Sequence, residues 1–214
     1  MNYSAVILAA GKGVRMRSQM PKVLHQVAGK PMVWYVIQAV KEAGINDITL
    51  VVGHGRELVE EALADENLNF VVQEQQLGTG HALMQAQGSV NPGHTLLVLA
   101  GDTPLLEGKT LKKLLDFHQQ QQAQATVLSA LLPNPYGYGR IIRQADGGLE
   151  RIVEEKDASP EEKEITEINT GMYCFQAGAV FAALARVQRS NAQGEYYLTD
   201  VLPILKNDGH NVAV

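Results

Sequence analysis

Apolar runs of strand length alternate with helix-period patterns almost from the first residue. Residues 4–10 form a continuous apolar run that stops at Gly11, as a strand buried on both faces should. From Pro31 the period lengthens, with Met32, Val33, Val36, Ile37 and Val40 on one helical face. Pro31 suits a first turn there, and Gly44 is placed to end the helix. The alternation continues with strands at 48–52, 70–73 and 95–100 and helices at 56–64, 79–86 and 110–122. This rhythm predicts a parallel sheet covered on both faces.

Beyond residue 124 the rhythm changes. Residues 125–132 are β-prone, and short strands are expected at 140–143, 149–153 and 171–175. Asp146-Gly147 is a hairpin signal between the first two. A small antiparallel excursion beside a mainly parallel, mixed sheet is therefore expected. Helical patterns return at 178–187 and 197–206, and Asn211-Val212-Ala213-Val214 has strand character, as if it opened a strand of a longer chain.

Composition narrows the class. At 214 residues with 45% hydrophobic and 19% charged positions, the chain can bury a core as one large domain. A net charge of -5 gives no basic field for nucleic acid. No apolar run approaches the ~18 residues that span a bilayer. The single cysteine, Cys174, excludes an internal disulfide and a zinc cluster. No leader pattern marks secretion, so a cytoplasmic protein is expected.

The first strand–helix turn reads Leu8-Ala9-Ala10-Gly11-Lys12-Gly13-Val14-Arg15-Met16. Two glycines let a ligand approach the backbone, and the following turn offers free N–H donors to an anion. It is neither a dinucleotide fingerprint, since Met16 stands where a third glycine is needed, nor a Walker loop. Lys12, Arg15 and Lys22 surround it, which suits a polyphosphate. The fourth strand ends in Ala100-Gly101-Asp102, an acid at the edge where open α/β sheets bind ligands. One carboxylate beside phosphates is a usual protein contribution to a Mg²⁺ site. The Gln75–His81 run follows the third strand at the same edge, and its glycines could receive a flat base or sugar. His54, His81, Cys174 and the Glu154–Asp157 run are more readily explained as structural or solvated.

Taken together, these segments resemble sugar-phosphate nucleotidylyltransferases. Pro21-Lys22-Val23-Leu24, Gln76-Leu77-Gly78-Thr79-Gly80-His81-Ala82, Pro135-Tyr136-Gly137-Tyr138-Gly139-Arg140-Ile141, Val153-Glu154-Glu155-Lys156-Asp157-Ala158, Glu167-Ile168-Asn169-Thr170-Gly171 and the 191–200 run narrow the likeness. They resemble the uridyltransferase domain of the bacterial family that joins N-acetylglucosamine-1-phosphate uridyltransferase to glucosamine-1-phosphate acetyltransferase. The resemblance covers essentially the whole chain and implies a Rossmann-like nucleotide-diphospho-sugar transferase fold. It implies that UTP and N-acetylglucosamine 1-phosphate become UDP-N-acetylglucosamine and pyrophosphate, with Mg²⁺ as cofactor.

The resemblance also assigns roles. Leu8, Ala9, Ala10, Gly11, Gln73 and Gly78 would hold uridine, Arg15 and Lys22 the phosphates, and Asp102 the metal. Ala100 and Gly101 would make main-chain contacts, while Thr79, Gly139, Glu154 and Asn169 would bind the acetylated sugar. In that family a second metal ligand, an acetyltransferase domain and a trimer contact would lie beyond Val214, so this span is expected as a monomer. Related enzymes using dTTP, CTP or GTP, or a fragment that binds nucleotide sugar with little turnover, are the competing readings.

Overall fold

In the computed structural model, residues 2–214 are described, apart from Lys12, Val14, Arg15, Arg17 and Gln19. In chain order the elements are β1 (Tyr3–Leu8), β2 (Gln26–Val27), β3 (Lys30–Pro31), α1 (Met32–Glu42), β4 (Ile48–Val52), α2 (Arg56–Ala62), β5 (Asn69–Val72), α3 (Thr79–Gln85) and β6 (Thr95–Ala100). They continue as α4 (Gly108–Gln120), β7 (Ala125–Leu131), β8 (Arg140–Arg143), β9 (Leu149–Val153), α5 (Pro160–Lys163), β10 (Glu167–Gln176), α6 (Ala177–Leu184), α7 (Val201–Asn207) and β11 (Val212–Ala213). The alternation expected from the sequence is present.

The main sheet runs β11-β7-β10-β6-β1-β4-β5. β1 pairs in parallel with both β4 and β6, and β4 with β5. The chain therefore winds outward from β1 to β4 and β5, then returns to place β6 on the other side of β1. Such a reversal opens a crevice outside the carboxyl ends of the strands.

Two cores flank this sheet, fed by alternate residues of the same strands. Ala5, Ile7, Leu97 and Leu99 face the core shared with Val33, Val36, Ile37 and Val40 of α1 and Leu111, Leu114 and Leu115 of α4. Val6 and Val98 face the other, with Leu83 of α3, Val180, Phe181 and Leu184 of α6, and Val201, Leu202 and Leu205 of α7. Burial on both faces explains why these strands read as unbroken apolar runs. Each fully buried aliphatic side chain contributes about 1.5–3 kcal/mol.

Four features differ from the sequence reading. β10 belongs to the main sheet itself and is no part of a separate excursion. It is ten residues long and inserts antiparallel between β6 and β7, with Cys174 opposite both Leu97 and Thr126. The hairpin β8–β9 is the true excursion, joined through Arg140 to Ile168. A second hairpin, β2–β3, turns through Ala28 and Gly29, both at positive φ. Finally, the helix expected over 197–206 begins as a 3₁₀ turn, Leu198–Asp200, before α7. Residue 196 is held extended by bonds from its N–H to the Leu77 carbonyl (2.8 Å) and from Gly80 N–H to its own carbonyl (2.8 Å). The helix can start only after that clamp. The terminal strand pairs in parallel with β7, Val212 opposite Ala125. No helix among the described residues is long and apolar enough to cross a membrane.

Candidate functional site at the strand-order reversal

Register brings the first group of predicted residues together. Leu8 ends β1 opposite Ala100 of β6 and Val51 of β4, and Val72 ends β5 opposite Val52. Ala9, Ala10, Gly11, Gly101, Asp102 and Gln73 therefore all leave the sheet at one edge. Gly101 N–H donates to the Leu8 carbonyl (3.0 Å) and Ala9 N–H to Val51 (2.8 Å), which ties the three strand ends side by side. Those bonds occupy the Ala9 donor. The N–H groups of Ala10 and Gly11 make no backbone hydrogen bond among the described residues. A Cβ on Gly11 would meet nothing within 4 Å.

Lys22 opens a 3₁₀ turn, Lys22–Leu24, whose Val23 and Leu24 are buried. Its ammonium pairs with Asp102 Oδ2 across the mouth of the crevice, both side chains partly exposed. Gly13 packs on Lys22, where a Cβ would stand 2.7 Å from Lys22 Cβ. The Ala100 carbonyl accepts from the Thr103 hydroxyl (3.0 Å), which orders the turn carrying Asp102. Arg15 and Lys12 lie outside the described residues.

Gln73 is buried, and beside it Gly53, His54, Val72, Glu74 and Gln76 line a cavity of about 260 Å³. Its N–H bonds the Val52 carbonyl (2.8 Å), and its side-chain Nε2 donates to the Gly78 carbonyl (3.1 Å). Gln76 Nε2 donates in turn to the Gln73 carbonyl (3.1 Å). Gly53 is required here, because a Cβ would lie 2.9 Å from Gln76 Nε2 and 3.0 Å from Ala10. The sequence reading set aside His54, gave Gly53 no role, and took in Gln76 only as part of the Gln76–Ala82 run. A Gly-His-Gly run at the carboxyl end of a strand was the available signal.

The second group gathers around β8, β9 and β10. Arg140 lies opposite both Val153 and Ile168, so Gly139, Glu154 and Asn169 flank one end of the hairpin. Asn169 N–H donates to the Gly139 carbonyl (2.8 Å), and a Cβ on Gly139 would touch both carboxylate oxygens of Glu154 at 3.4 Å. The buried Asn169 side chain is already engaged. Its Nδ2 donates to the Tyr173 hydroxyl (2.7 Å) and its Oδ1 accepts from Gly171 N–H (3.0 Å), leaving one amide proton for a ligand. A bulge between Asn169 and Met172, with Gly171 at φ +76°, bends the chain here.

Glu154 is pushed above the usual carboxylate range, first by burial, then by Asp157 and Asp200; the adjacent Thr199 hydroxyl eases this. Burial and Asp157 likewise raise Asp200. Burial also raises the Tyr173 hydroxyl, against the Asn169 hydrogen bond. Tyr197 is pushed up to about 12 by burial, its hydroxyl held between Gln193 (2.8 Å) and Asp157 (3.1 Å).

Thr79 joins the two groups. It lies at the start of α3, where Gly78 is the N-cap, and its hydroxyl accepts from Leu198 N–H at 3.1 Å. The turn below Gln73 is thus fastened to the segment beside Glu154.

Similarity to known proteins bears on the family and the fold. Residues 5–163 match the MobA-like NTP transferase domain. The chain is 60% identical, over its full length and 48% of the relative's, to the bifunctional protein GlmU of Syntrophomonas wolfei. It is 51% identical to that of Halalkalibacterium halodurans, over 99% of this chain and 47% of the relative. The chain spans about half the length of these curated relatives. A UDP-glucose pyrophosphorylase solved with UDP-glucose superposes with a TM-score of 0.80 at 19% identity, covering 100% of this chain and 90% of that one. A Bacillus anthracis protein described as a putative glucose-1-phosphate thymidylyltransferase, solved in complex with a sucrose, gives 0.78 at 22%, with 99% and 86% covered. The sheet whose reversal makes the crevice falls largely within the matched span, and the chain belongs to the MobA-like NTP transferase domain family.

Proposed function

We propose that the chain transfers uridylyl from UTP to N-acetylglucosamine 1-phosphate, giving UDP-N-acetylglucosamine and pyrophosphate. What supports this most is the placement of Lys22, Asp102 and the Ala10 and Gly11 donors at one strand-order reversal, with buried Gln73 beside them. The 51–60% identity to GlmU proteins favours uridine and this sugar over other bases.

In this reading the sugar phosphate is itself the anionic nucleophile, so no general base is needed. The work is in-line positioning and neutralisation of charge. Ala10 and Gly11 N–H groups bind phosphate oxygens, and Lys22, with Arg15, offsets charge as pyrophosphate leaves. Gln73 and the Gly78 backbone hold the base. Glu154 accepts from sugar hydroxyls or the acetamido N–H, and the remaining Asn169 proton and the Gly139 backbone complete that subsite.

The donor set suits Mg²⁺. Asp102 offers a hard oxygen, Lys22 occupies only Oδ2, and no group of three His, Cys, Asp or Glu among the described residues could form a protein cage. An ion held through one carboxylate takes its other ligands from phosphates and water. When bound, it would supply further neutralisation of the phosphate oxygens. The setting proposed is the cytoplasm, with the product feeding polymers built from activated amino sugars.

The test is pyrophosphate release with a panel of UTP, dTTP, CTP and GTP against N-acetylglucosamine 1-phosphate and glucose 1-phosphate. Turnover confined to UTP with the acetylated sugar is expected. Equal or better turnover with another pair would overturn the assignment.

A further inference from the structure

Gln73 and His81 are joined in a way the uridylyl reading does not itself require. Gln73 Nε2 donates to the Gly78 carbonyl at 3.1 Å and lies 3.0 Å from His81 Nδ1. A carbonyl can only accept, so the Gly78 bond identifies the end of the amide that faces it as the nitrogen. His81 Nδ1 must then be the acceptor, and the imidazole carries its proton on Nε2. Gln85 Nε2 donates to the His81 carbonyl (3.1 Å) and stands 3.3 Å from the ring Nε2, so this amide does not accept the ring proton.

Both contacts draw the same end of the Gln73 amide inward. Its Oε1 makes no hydrogen bond among the described residues, and Gln73 lines the 260 Å³ cavity at the crevice. The imidazole is itself held. It stacks on Tyr196 at 6.1 Å and 26°, and the Arg189 guanidinium lies over the Tyr196 ring at 5.6 Å. Gly80 N–H and the Tyr196 carbonyl fasten the two backbones at 2.8 Å.

We propose that His81 is a positioning residue that sets base preference: by accepting from Gln73 Nε2 it keeps Gln73 Oε1 presented to the base as an acceptor. An acceptor there pairs with a pyrimidine that carries N3–H, as uracil does. It repels one whose N3 is a lone pair, as in cytosine. Without His81 only the Gly78 carbonyl resists rotation of the amide, and a rotated amide would offer its NH₂ to cytosine N3. This inference rests on the uridylyl reading, since it concerns which base that pocket selects.

The test is equilibrium binding of UTP and of CTP by titration calorimetry, with thermal unfolding followed in parallel. The proteins are the wild type, His81→Leu, His81→Asn and Gln73→Leu. Wild type is expected to favour UTP, and His81→Leu to lower the CTP-to-UTP ratio of dissociation constants about tenfold, the worth of one buried hydrogen bond. His81→Asn, whose Oδ1 can take the place of Nδ1, should restore most of the preference. An unchanged ratio in a folded His81→Leu protein would overturn the proposal. So would equal loss in the leucine and asparagine variants, which would mean a packing role. If His81→Leu does not fold, His81→Ala is judged by the same ratio. The parent reading fails separately, if wild type shows no preference for UTP or if Gln73→Leu binds UTP as wild type does.

Discussion

Gly78 stands so close to Tyr196 that a Cβ on it would lie 2.6 Å from the Tyr196 carbonyl oxygen. Its φ of +110° is also outside the range that side chains tolerate. The turn and the 195–198 segment are therefore packed and hydrogen-bonded together. Gly78→Ala should cost about 1–3 kcal/mol in strain and displace both subsites. Denaturant unfolding, with binding of UTP and of the sugar phosphate measured separately, checks this. A loss confined to one substrate would show that the two halves are independent.

Lys22→Ala should lower kcat by about 10²–10³, because the charge it offsets is greatest as pyrophosphate departs. Stability should change little, since the Lys22–Asp102 pair is partly exposed and such pairs are worth about 0–1 kcal/mol. Steady-state kinetics beside a melting curve separates the two effects. Arg15→Ala is expected to behave in the same way.

Glu154→Gln should separate stability from sugar binding. The folded-state value of Glu154 is raised, so the folded protein binds more protons there and loses stability as pH rises through that window. Removing the charge beside Asp157 and Asp200 should thus stabilise the protein at neutral pH. Affinity for N-acetylglucosamine 1-phosphate should fall by about 1–3 kcal/mol and UTP affinity should not. Equal losses for both substrates would point to a structural role.

His118 gives the fold an acid limit. It is buried against Thr126, with Nδ1 2.8 Å from the hydroxyl, and burial lowers its value to about 4 from 6.5. The folded state keeps it neutral, so its contribution is complete above pH 6.5 and is lost as pH falls toward 4. Discounted for residual solvent screening, this amounts to roughly 2 kcal/mol. His118→Gln should flatten that part of the stability–pH curve, which unfolding between pH 7 and 4 would reveal.

Much of this was legible from residue order. The runs that became β1, β4 and β6 are apolar throughout because helices cover both their faces, and helix α1 announces itself through Val33, Val36, Ile37 and Val40. Lys22, Asp102 and Gln73 could be placed at one sheet edge because parallel strands send their carboxyl ends the same way. Other features depend on distant partners. Nothing near Cys174 reveals that it will sit between Leu97 and Thr126, and β2–β3 turns through Ala28, which lacks a turn residue's usual signal. The hydrogen bond from Asn169 to Gly139 exists only once three strands are in register.

The insertion of β10 has a consequence for how the chain is made. Residues 3–100 can assemble β5, β4, β1 and β6 as soon as they are synthesised, but β6 then ends the sheet on one side. Its sequence, Thr95-Leu96-Leu97-Val98-Leu99-Ala100, has no charge and no proline to discourage pairing with another molecule. β7 emerges next, yet it does not pair with β6, whose neighbour arrives only with residues 173–176. For the interval in which those roughly seventy-five residues emerge, the nascent protein presents an adhesive apolar border, and synthesis must outrun self-association or be shielded from it.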